Sequence, residues 1–408
     1  MLQQPVQSFD HARAFAQRTK VRVGIAADRF SGRATGDSDV ISLNFGLPDE
    51  GLFPIPDLME SVSRAVHVRR ALQYGGATGT ARLSGMVADK CSQLCKVPIS
   101  SEEVLITSGS SQAFDLISRL FLDPGDDVWV EEPTYFGALH GFSLNGATLR
   151  GFPMDEEGLL VDAVEQELKA REATGGAMPK LFYVIPNYHN PTGLTMSLER
   201  RKQLGELAMK YKFYVLEDDA YGELGFGATT IQPIKSIAPE FTLYISTFSK
   251  TIAPGFRLGY VVAPRSIIQM LRFVKAEGGT SGFAQEVMAN LLETLDYDQH
   301  LRTVRATYRA RRDAMLEALA EDSSVNWTWT EPEGGFFVWV TLPDGYQTSA
   351  LWDYALRESV SFVGGDAFYV SGKGGNRMRL SFSYYPPNII REGIQRLRCA
   401  VHAYADTL

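Results

Sequence analysis

The feature that most constrains this chain is a rhythm between residues 103 and 264. Short apolar runs recur there, and each one exits into polar sequence containing Gly, Pro, Ser or Asn. In order they are "EEVLITSGSS", "DDVWVEEPTY", "KLFYVIPNYHNPTG", "KFYVLEDDAYGEL", "TLYISTFSK" and "LGYVVAP". Runs this short, rich in β-branched and aromatic residues, read as buried strands rather than helices. Amphipathic stretches lie between them. "QAFDLISRLF" places Phe114, Ile117 and Phe121 on one helical stripe. A β-loop-α rhythm predicts a mostly parallel sheet covered by helices. Such a sheet gathers the carboxyl ends of its strands at one edge, and ligands bind beyond that edge. Residues that directly follow the strands should therefore line one site.

The remainder of the chain sets the frame. With 408 residues there is room for a large α/β domain and a smaller one. Beyond residue 264 the pattern turns helical to about 320, as in "LRTVRATYRARRDAMLEALAE". The strand-like runs "GGFFVWVTLP" and "RMRLSFSYY" then alternate with helical ones, predicting a small α+β domain. The expected division is an N-terminal segment, 1–55, packing with the small domain, a large domain at 56–290 and a small domain at 291–408. A composition of 45% apolar and 22% charged residues fits a folded globular chain and not a disordered one. With 40 basic against 48 acidic residues the net charge is −8, which argues against a nucleic-acid partner. Cys91, Cys95 and Cys399 make no disulfide framework, and no His/Cys cluster has metal-ligand spacing, so no metal is expected. The start, "MLQQPVQSFDHARAFAQ", has no apolar signal core, and no run reaches membrane-spanning length. A soluble, cytoplasmic protein without a membrane partner is the expectation.

Reading off the positions after each strand gives Gly109, Ser110 and Ser111; Tyr135; Asn190; Asp218 and Tyr221; and Thr247, Ser249, Lys250 and Arg257. "TSGSSQ" leads from a strand into a helix N-terminus, where unpaired N–H groups attract an anion. Arg257 can fork onto phosphate oxygens and the hydroxyls can complete the cradle. The structural alternative is that Ser110 and Ser111 are plain helix caps. There is no GxxxxGK[ST], and "GGATGT" at 75–80 is not a dinucleotide fingerprint. The other groups suit a phosphorylated aromatic heterocycle. Tyr135 can stack on a ring, Asp218 can pair with a pyridinium nitrogen, and Tyr221 and Asn190 can hydrogen-bond a phenolic oxygen. Lys250 can condense with an aldehyde. A surface lysine is the plain alternative, but Lys250 sits between two core strands. To work as a nucleophile it needs a lowered proton affinity, which Arg257 and an apolar sheet edge would provide. His189, beside Asn190, either lines the site or has a structural role.

Taken together, these segments resemble the class I/II aminotransferases, the fold-type-I pyridoxal-phosphate enzymes. The likeness is closest to the 2-aminoadipate, kynurenine and aromatic aminotransferase branch. It rests on "FGLPDEGLFP", "LQYGGATGTARL", "TSGSSQAFD", "EEPTY", "PNYHNPTG", "EDDAY", "SKTIAPGFRLGY" and "MRLSFS", in the family's order over roughly 40–395. The resemblance implies an aspartate-aminotransferase-like fold and pyridoxal 5′-phosphate as cofactor. The reaction implied is ping-pong transfer of an amino group from an L-amino acid to a 2-oxo acid such as 2-oxoglutarate. Another pyridoxal-phosphate reaction on the same scaffold (decarboxylase, oxidase, lyase or cyclase) is the alternative. By the same likeness Lys250 anchors the cofactor and shuttles a proton, while Asp218 pairs with the ring nitrogen, neighbouring Asp219 being the other candidate. Asn190 and Tyr221 meet the phenolic oxygen and Tyr135 stacks. Gly109, Ser110, Ser111, Thr247, Ser249 and Arg257 hold the phosphate. Arg379 of "MRLSF" would clamp the substrate α-carboxylate with Asn190, and Gly46 of "LNFGLPD" borders the side chain. Tyr74 resembles a tyrosine that reaches the neighbouring subunit's phosphate, implying a homodimer. Arg29, with Arg33 as substitute, is a candidate for binding an acidic side chain, against the plain reading of a surface arginine. The phosphate turn reads Gly-Ser-Ser where relatives often have Gly-Ser-Gln, which leaves Ser111 less defined. The single glycine of "LNFGLPD", where relatives often have two, leaves the substrate side chain open.

Overall fold

A computed structural model describes residues 15, 16, 18, 39–227, 231–276, 278–321 and 324–408. Its strands, in chain order, are β1 (Ile41–Ser42), β2 (Val104–Thr107), β3 (Asp127–Glu132), β4 (Thr148–Asp155), β5 (Gly158–Leu159), β6 (Leu181–Val184) and β7 (Tyr214–Asp218). They continue as β8 (Thr242–Thr247), β9 (Gly259–Val262), β10 (Thr328–Trp329), β11 (Phe337–Thr341), β12 (Val360–Ser361), β13 (Val363–Gly364) and β14 (Arg377–Ser381). One large sheet has the order β2-β9-β8-β7-β6-β3-β4-β5. Strands β8, β7, β6, β3 and β4 run parallel. Strand β9 is antiparallel to both β8 and β2, so β2 again points the same way as the parallel set. The expected mostly parallel sheet is present. Strands β4 and β5 escaped the sequence reading: β4 carries Arg150, Gly151 and Pro153 and stays largely accessible, so it lacks the apolar run of a central strand.

Alternation along the strands builds three layers. Leu181 and Tyr183 of β6 face a cluster with Phe114, Leu139, Phe142 and Ile268, from helices Ser110–Phe121, Phe136–Leu144 and Arg265–Val274. Phe182 and Val184 face the opposite side, against Val164 and Leu168 of helix Val161–Thr174 and Leu204 of helix Leu198–Tyr211. Helices Ala81–Cys95 and Gly282–Thr294 cover β2, β9 and β8 on that second side, with Cys91 and Cys95 facing the core. Each fully buried Leu, Ile, Val or Phe here stabilises the fold by about 1.5–3 kcal/mol.

The smaller sheet, β10-β11-β14-β13, is antiparallel throughout. Helices Tyr297–Ala320, Thr348–Arg357 and Pro387–Ala405 share its apolar cluster. Strand β1 pairs in parallel with β12, Ile41 opposite Val360. Tyr221 and Leu224, from the loop after β7, also enter this cluster. The segment carrying Asp218 and Tyr221 is therefore fixed between two cores. Among the described residues no helix is long and apolar enough to cross a membrane, and no His/Cys/Asp/Glu group is placed to hold a metal ion.

Candidate active site

The site is built on the strand ends, beginning with the turn after β2. Gly109 has φ +79 and sits at the N-cap of helix Ser110–Phe121, with no side chain capping it. Ser110 and Ser111 therefore do not act as the N-cap, and Ser111 is exposed. The turn is tied down by Thr107 Oγ1, which donates to Gly109 O at 3.0 Å, and by Ser108 N, which donates to Gln112 Oε1 at 2.8 Å. A Cβ on Gly109 would lie 2.7 Å from Arg257 Nη2, so glycine is needed for contact as well as for φ. On the adjacent strand end, Thr247 Oγ1 donates to Leu258 O at 2.9 Å and accepts from Ser249 N at 3.2 Å. An uncapped helix N-terminus, a guanidinium and serine hydroxyls thus meet in one place. That set suits a phosphate group.

Next to it lie three consecutive acids, Glu217, Asp218 and Asp219, all buried. Glu217 accepts from the amides of Ile234 at 2.9 Å and Lys235 at 2.8 Å. Asp219 accepts from Asn187 Nδ2 at 2.7 Å and Tyr244 OH at 2.6 Å. Asp218 Oδ2 accepts from Tyr183 OH at 2.8 Å, while Oδ1 has no partner among the described residues. Burial lifts the Asp218 carboxyl to about 7, partly opposed by the Tyr183 hydroxyl. Of the two candidates, Asp219 is consumed by structure and Asp218 keeps an oxygen for a ligand. Tyr135, beginning helix Phe136–Leu144, is half-buried, and burial raises its phenol.

Lys250 follows β8 and donates from Nζ to Gly46 O at 2.9 Å. Its amine is pushed down to about 8, by burial first and then by the Arg379 and Arg257 charges, with Asp218 opposing. Arg379, on β14, is 3% exposed. Its Nη1 donates to Asn190 Oδ1 at 2.8 Å and its Nη2 to Asn44 O at 2.6 Å. Its guanidinium lies 4.2, 5.1 and 5.7 Å from the ring centroids of Phe337, Phe368 and Phe136. Tyr221 is buried against Phe336 and Phe337, and burial raises its hydroxyl too. A basic amine, a carboxylate with a free oxygen and a buried guanidinium therefore share one cleft, which can bind an anion, a ring and a carboxylate.

Not every nominated residue joins this group. Tyr74 is 99% exposed and has no part in the chain's own cleft. Arg29 and Arg33 lie outside the described residues. His189 is buried, with Nδ1 2.9 Å from Thr192 Oγ1 and Nε2 3.2 Å from Glu131 Oε2, which is the structural role. Conversely, the sequence reading passed over Tyr183, Asn44 and the phenylalanines around Arg379. Only the polar atom of Tyr183 within a wholly apolar strand could have drawn notice.

Comparison with known proteins follows the same lines. A family model described as aminotransferase class I and II matches residues 38–397. The aromatic-amino-acid aminotransferase 1 of Thermococcus litoralis is 41% identical over 365 residues, covering 88% of this chain and 87% of that protein. The solved kynurenine aminotransferase of Pyrococcus horikoshii, in complex with PMP, superposes with a TM-score of 0.91 at 38% identity, covering 97% and 98% of the two chains. The α-aminoadipate aminotransferase of Thermus thermophilus, solved with N-(5′-phosphopyridoxyl)-L-leucine, gives 0.89 at 34%, covering 98% and 100%.

Proposed function

The chain belongs to the class I and II aminotransferases and is a pyridoxal-phosphate-dependent aminotransferase, and from that premise we propose how its residues divide the work. The residues present fit the cofactor. Asp218 Oδ1 is a buried acceptor without a partner among the described residues, and the turn at Gly109 is a helix N-terminus with no side-chain cap, pressed against Arg257. Gly109, Ser110, Thr247, Ser249 and Arg257 would hold the phosphate, with exposed Ser111 at its margin. Tyr135 would stack on the ring, Asn190 and Tyr221 would meet the phenolic oxygen, and Asp218 would face the ring nitrogen. Pyridoxal phosphate, when bound, supplies an aldehyde that condenses with amines and a ring that accepts the electron pair left by a departing α-proton.

The chain's own groups do the rest. Arg379 binds the α-carboxylate of donor and acceptor alike, with Asn190 holding the guanidinium. Lys250 Nζ, as a free amine, would take the proton from the substrate α-carbon and hold it for return. Burial and two nearby guanidinium groups lower that amine's proton affinity toward the neutral range. Gly46, whose carbonyl accepts from Lys250 Nζ and whose Cα packs against the Phe337 ring, would border the substrate side chain. The donor in this reading is an L-amino acid, with an aromatic or acidic side chain as in the named relatives, and the acceptor is a 2-oxo acid such as 2-oxoglutarate. We also place the enzyme in the cytoplasm; its three cysteines, all free, suit a reducing compartment.

A homodimer completes the reading. Ile55, Met59, Val62 and Val66 form an exposed apolar stripe on helix Ile55–Val66, and Leu72, soon after it in the chain, is exposed too. Tyr74, two residues beyond Leu72, is almost wholly exposed, which supports a role in a partner's site. The division into 1–55, 56–290 and 291–408 belongs to the same proposal, supported for the first segment by the β1–β12 pairing. The observation carrying the function is Lys250's amine in one cleft with Arg379 and the half-free Asp218 carboxylate. Borohydride reduction of the loaded enzyme should fix the cofactor on the peptide containing Lys250. Donor alone should convert bound cofactor to its amine form, and 2-oxoglutarate should reverse it. Label on another lysine sinks the assignment of Lys250, and failure of reversal removes 2-oxoglutarate as acceptor.

A further inference from the structure

We propose that Tyr183 is a positioning residue for the reaction: by donating its hydroxyl to Asp218 Oδ2, it leaves Oδ1 as the acceptor for the cofactor's ring nitrogen and keeps the shared proton on that nitrogen. The inference rests on the pairing of Asp218 with the ring proposed above.

The bond follows from sheet register. Strands β6 and β7 run parallel with Tyr183 opposite Leu216, and both side chains face the same apolar cluster. Asp218, two residues beyond Leu216, projects to that same face at the strand end. The phenol therefore reaches one residue pair along the sheet, and its oxygen meets Asp218 Oδ2 at 2.8 Å. Phe114 and Phe142 pack edge-on against the Tyr183 ring at 5.5 and 5.8 Å, and the residue is fully buried. The ring is held by those contacts, independently of the hydroxyl.

The neighbouring acids show what this arrangement selects. Glu217 and Asp219 each spend both carboxylate oxygens on protein donors. Asp218 accepts the Tyr183 hydroxyl on Oδ2, the Ala220 amide also favours its anion, and Oδ1 has no partner among the described residues. A hydrogen bond donated to a carboxylate stabilises its anion. With the bond in place, a proton shared between Asp218 Oδ1 and the ring nitrogen rests on nitrogen. Without it the buried carboxylate is the stronger base and draws that proton to itself. The ring then withdraws electrons less well from the substrate α-carbon.

The test is the nitrogen-15 chemical shift of the ring nitrogen in enzyme loaded with labelled pyridoxal phosphate. Wild type, Tyr183→Phe and Asp218→Asn are compared, with melting curves and cofactor stoichiometry reporting the fold. Tyr183→Phe keeps the ring packing and removes only the hydroxyl. Its shift should move toward the value of an unprotonated pyridine. The kcat should fall about tenfold, as for loss of one hydrogen bond to a charged group, with KM for the amino donor little changed. A ring-fluorinated tyrosine at position 183, a stronger donor, should displace the shift the opposite way. If Asp218→Asn moves the shift and Tyr183→Phe does not, Tyr183 merely packs and the proposal is overturned. If Asp218→Asn leaves it unmoved, the pairing of Asp218 with the ring fails first, and this inference with it. Should Tyr183→Phe not fold, the fluorinated residue decides, and an unmoved shift there also overturns the proposal.

Discussion

Arg379→Leu should disable both half-reactions, because donor and acceptor present the same α-carboxylate. Arg379 is almost wholly buried, and its two terminal nitrogens are fixed by Asn190 Oδ1 at 2.8 Å and Asn44 O at 2.6 Å. Burial lowers the guanidinium only to about 10, so it is charged at neutral pH. Losing a desolvated, fork-like pair of this kind costs about 2–5 kcal/mol. At about 1.4 kcal/mol per tenfold, kcat/KM should fall by roughly 30- to 4,000-fold for every substrate. A second consequence falls on Lys250, whose amine is held at about 8 partly by the Arg379 charge. In cofactor-free Arg379→Leu that amine should titrate at higher pH, read as the pH dependence of its reaction with an amine-modifying reagent. Asn190 Oδ1 and Asn44 O would be left bare at about 1–3 kcal/mol each, so melting curves must accompany the kinetics. Arg379→Lys separates the effects: it keeps the charge near Lys250 and loses the fork. A defect confined to acidic side chains would move Arg379 away from the α-carboxylate. A Lys250 titration unmoved by Arg379→Leu would refute the electrostatic coupling.

Asp218 also predicts a pH dependence of stability. Its carboxyl is raised from 3.8 to about 7, so between those values the cofactor-free folded state holds a proton that the unfolded state has released. Wild type should therefore lose stability relative to Asp218→Asn as pH rises from about 4 to about 7, by up to ~4 kcal/mol. Urea midpoints measured across that range check this, and parallel curves for the two proteins would contradict it. For the dimer, mixing Lys250→Ala with Tyr74→Ala subunits should restore activity that neither has alone. One site of each mixed pair would then combine an intact Lys250 with the partner's intact Tyr74. No restoration in a mixture shown to exchange subunits would place Tyr74 in its own chain's site or in none.

What could be read in advance divides along a physical line. Strand ends were legible, because a short apolar run followed by Gly, Pro or Asn marks where a parallel sheet presents its ligand edge. Gly109, Tyr135, Asn190, Asp218, Thr247 and Lys250 all follow from that. The sequence leaves Asp219 beside Asp218 as a second candidate; what sets them apart, that both oxygens of Asp219 are taken by Asn187 and Tyr244, needs coordinates. Tyr183 was hidden for the same reason: its hydroxyl finds Asp218 only through the register of β6 on β7, which no local pattern encodes. Strand β4 was missed because a strand beside the sheet edge can dispense with an apolar run.

Lys250 carries the lesson furthest. An apolar surrounding and Arg257 were expected to lower its proton affinity, and burial is indeed the largest cause, but Arg379 stands ahead of Arg257. Arg379 belongs to β14 of the small sheet, opposite Trp339 of β11 and Val363 of β13. It reaches the cleft only because the small sheet packs against the loops that carry Asn44 and Asn190. The reactivity of a lysine on the large sheet is thus set in part by an arginine from the other sheet. Nothing in the pattern around Lys250 or around Arg379 encodes that distance; it exists only once the two sheets are packed together.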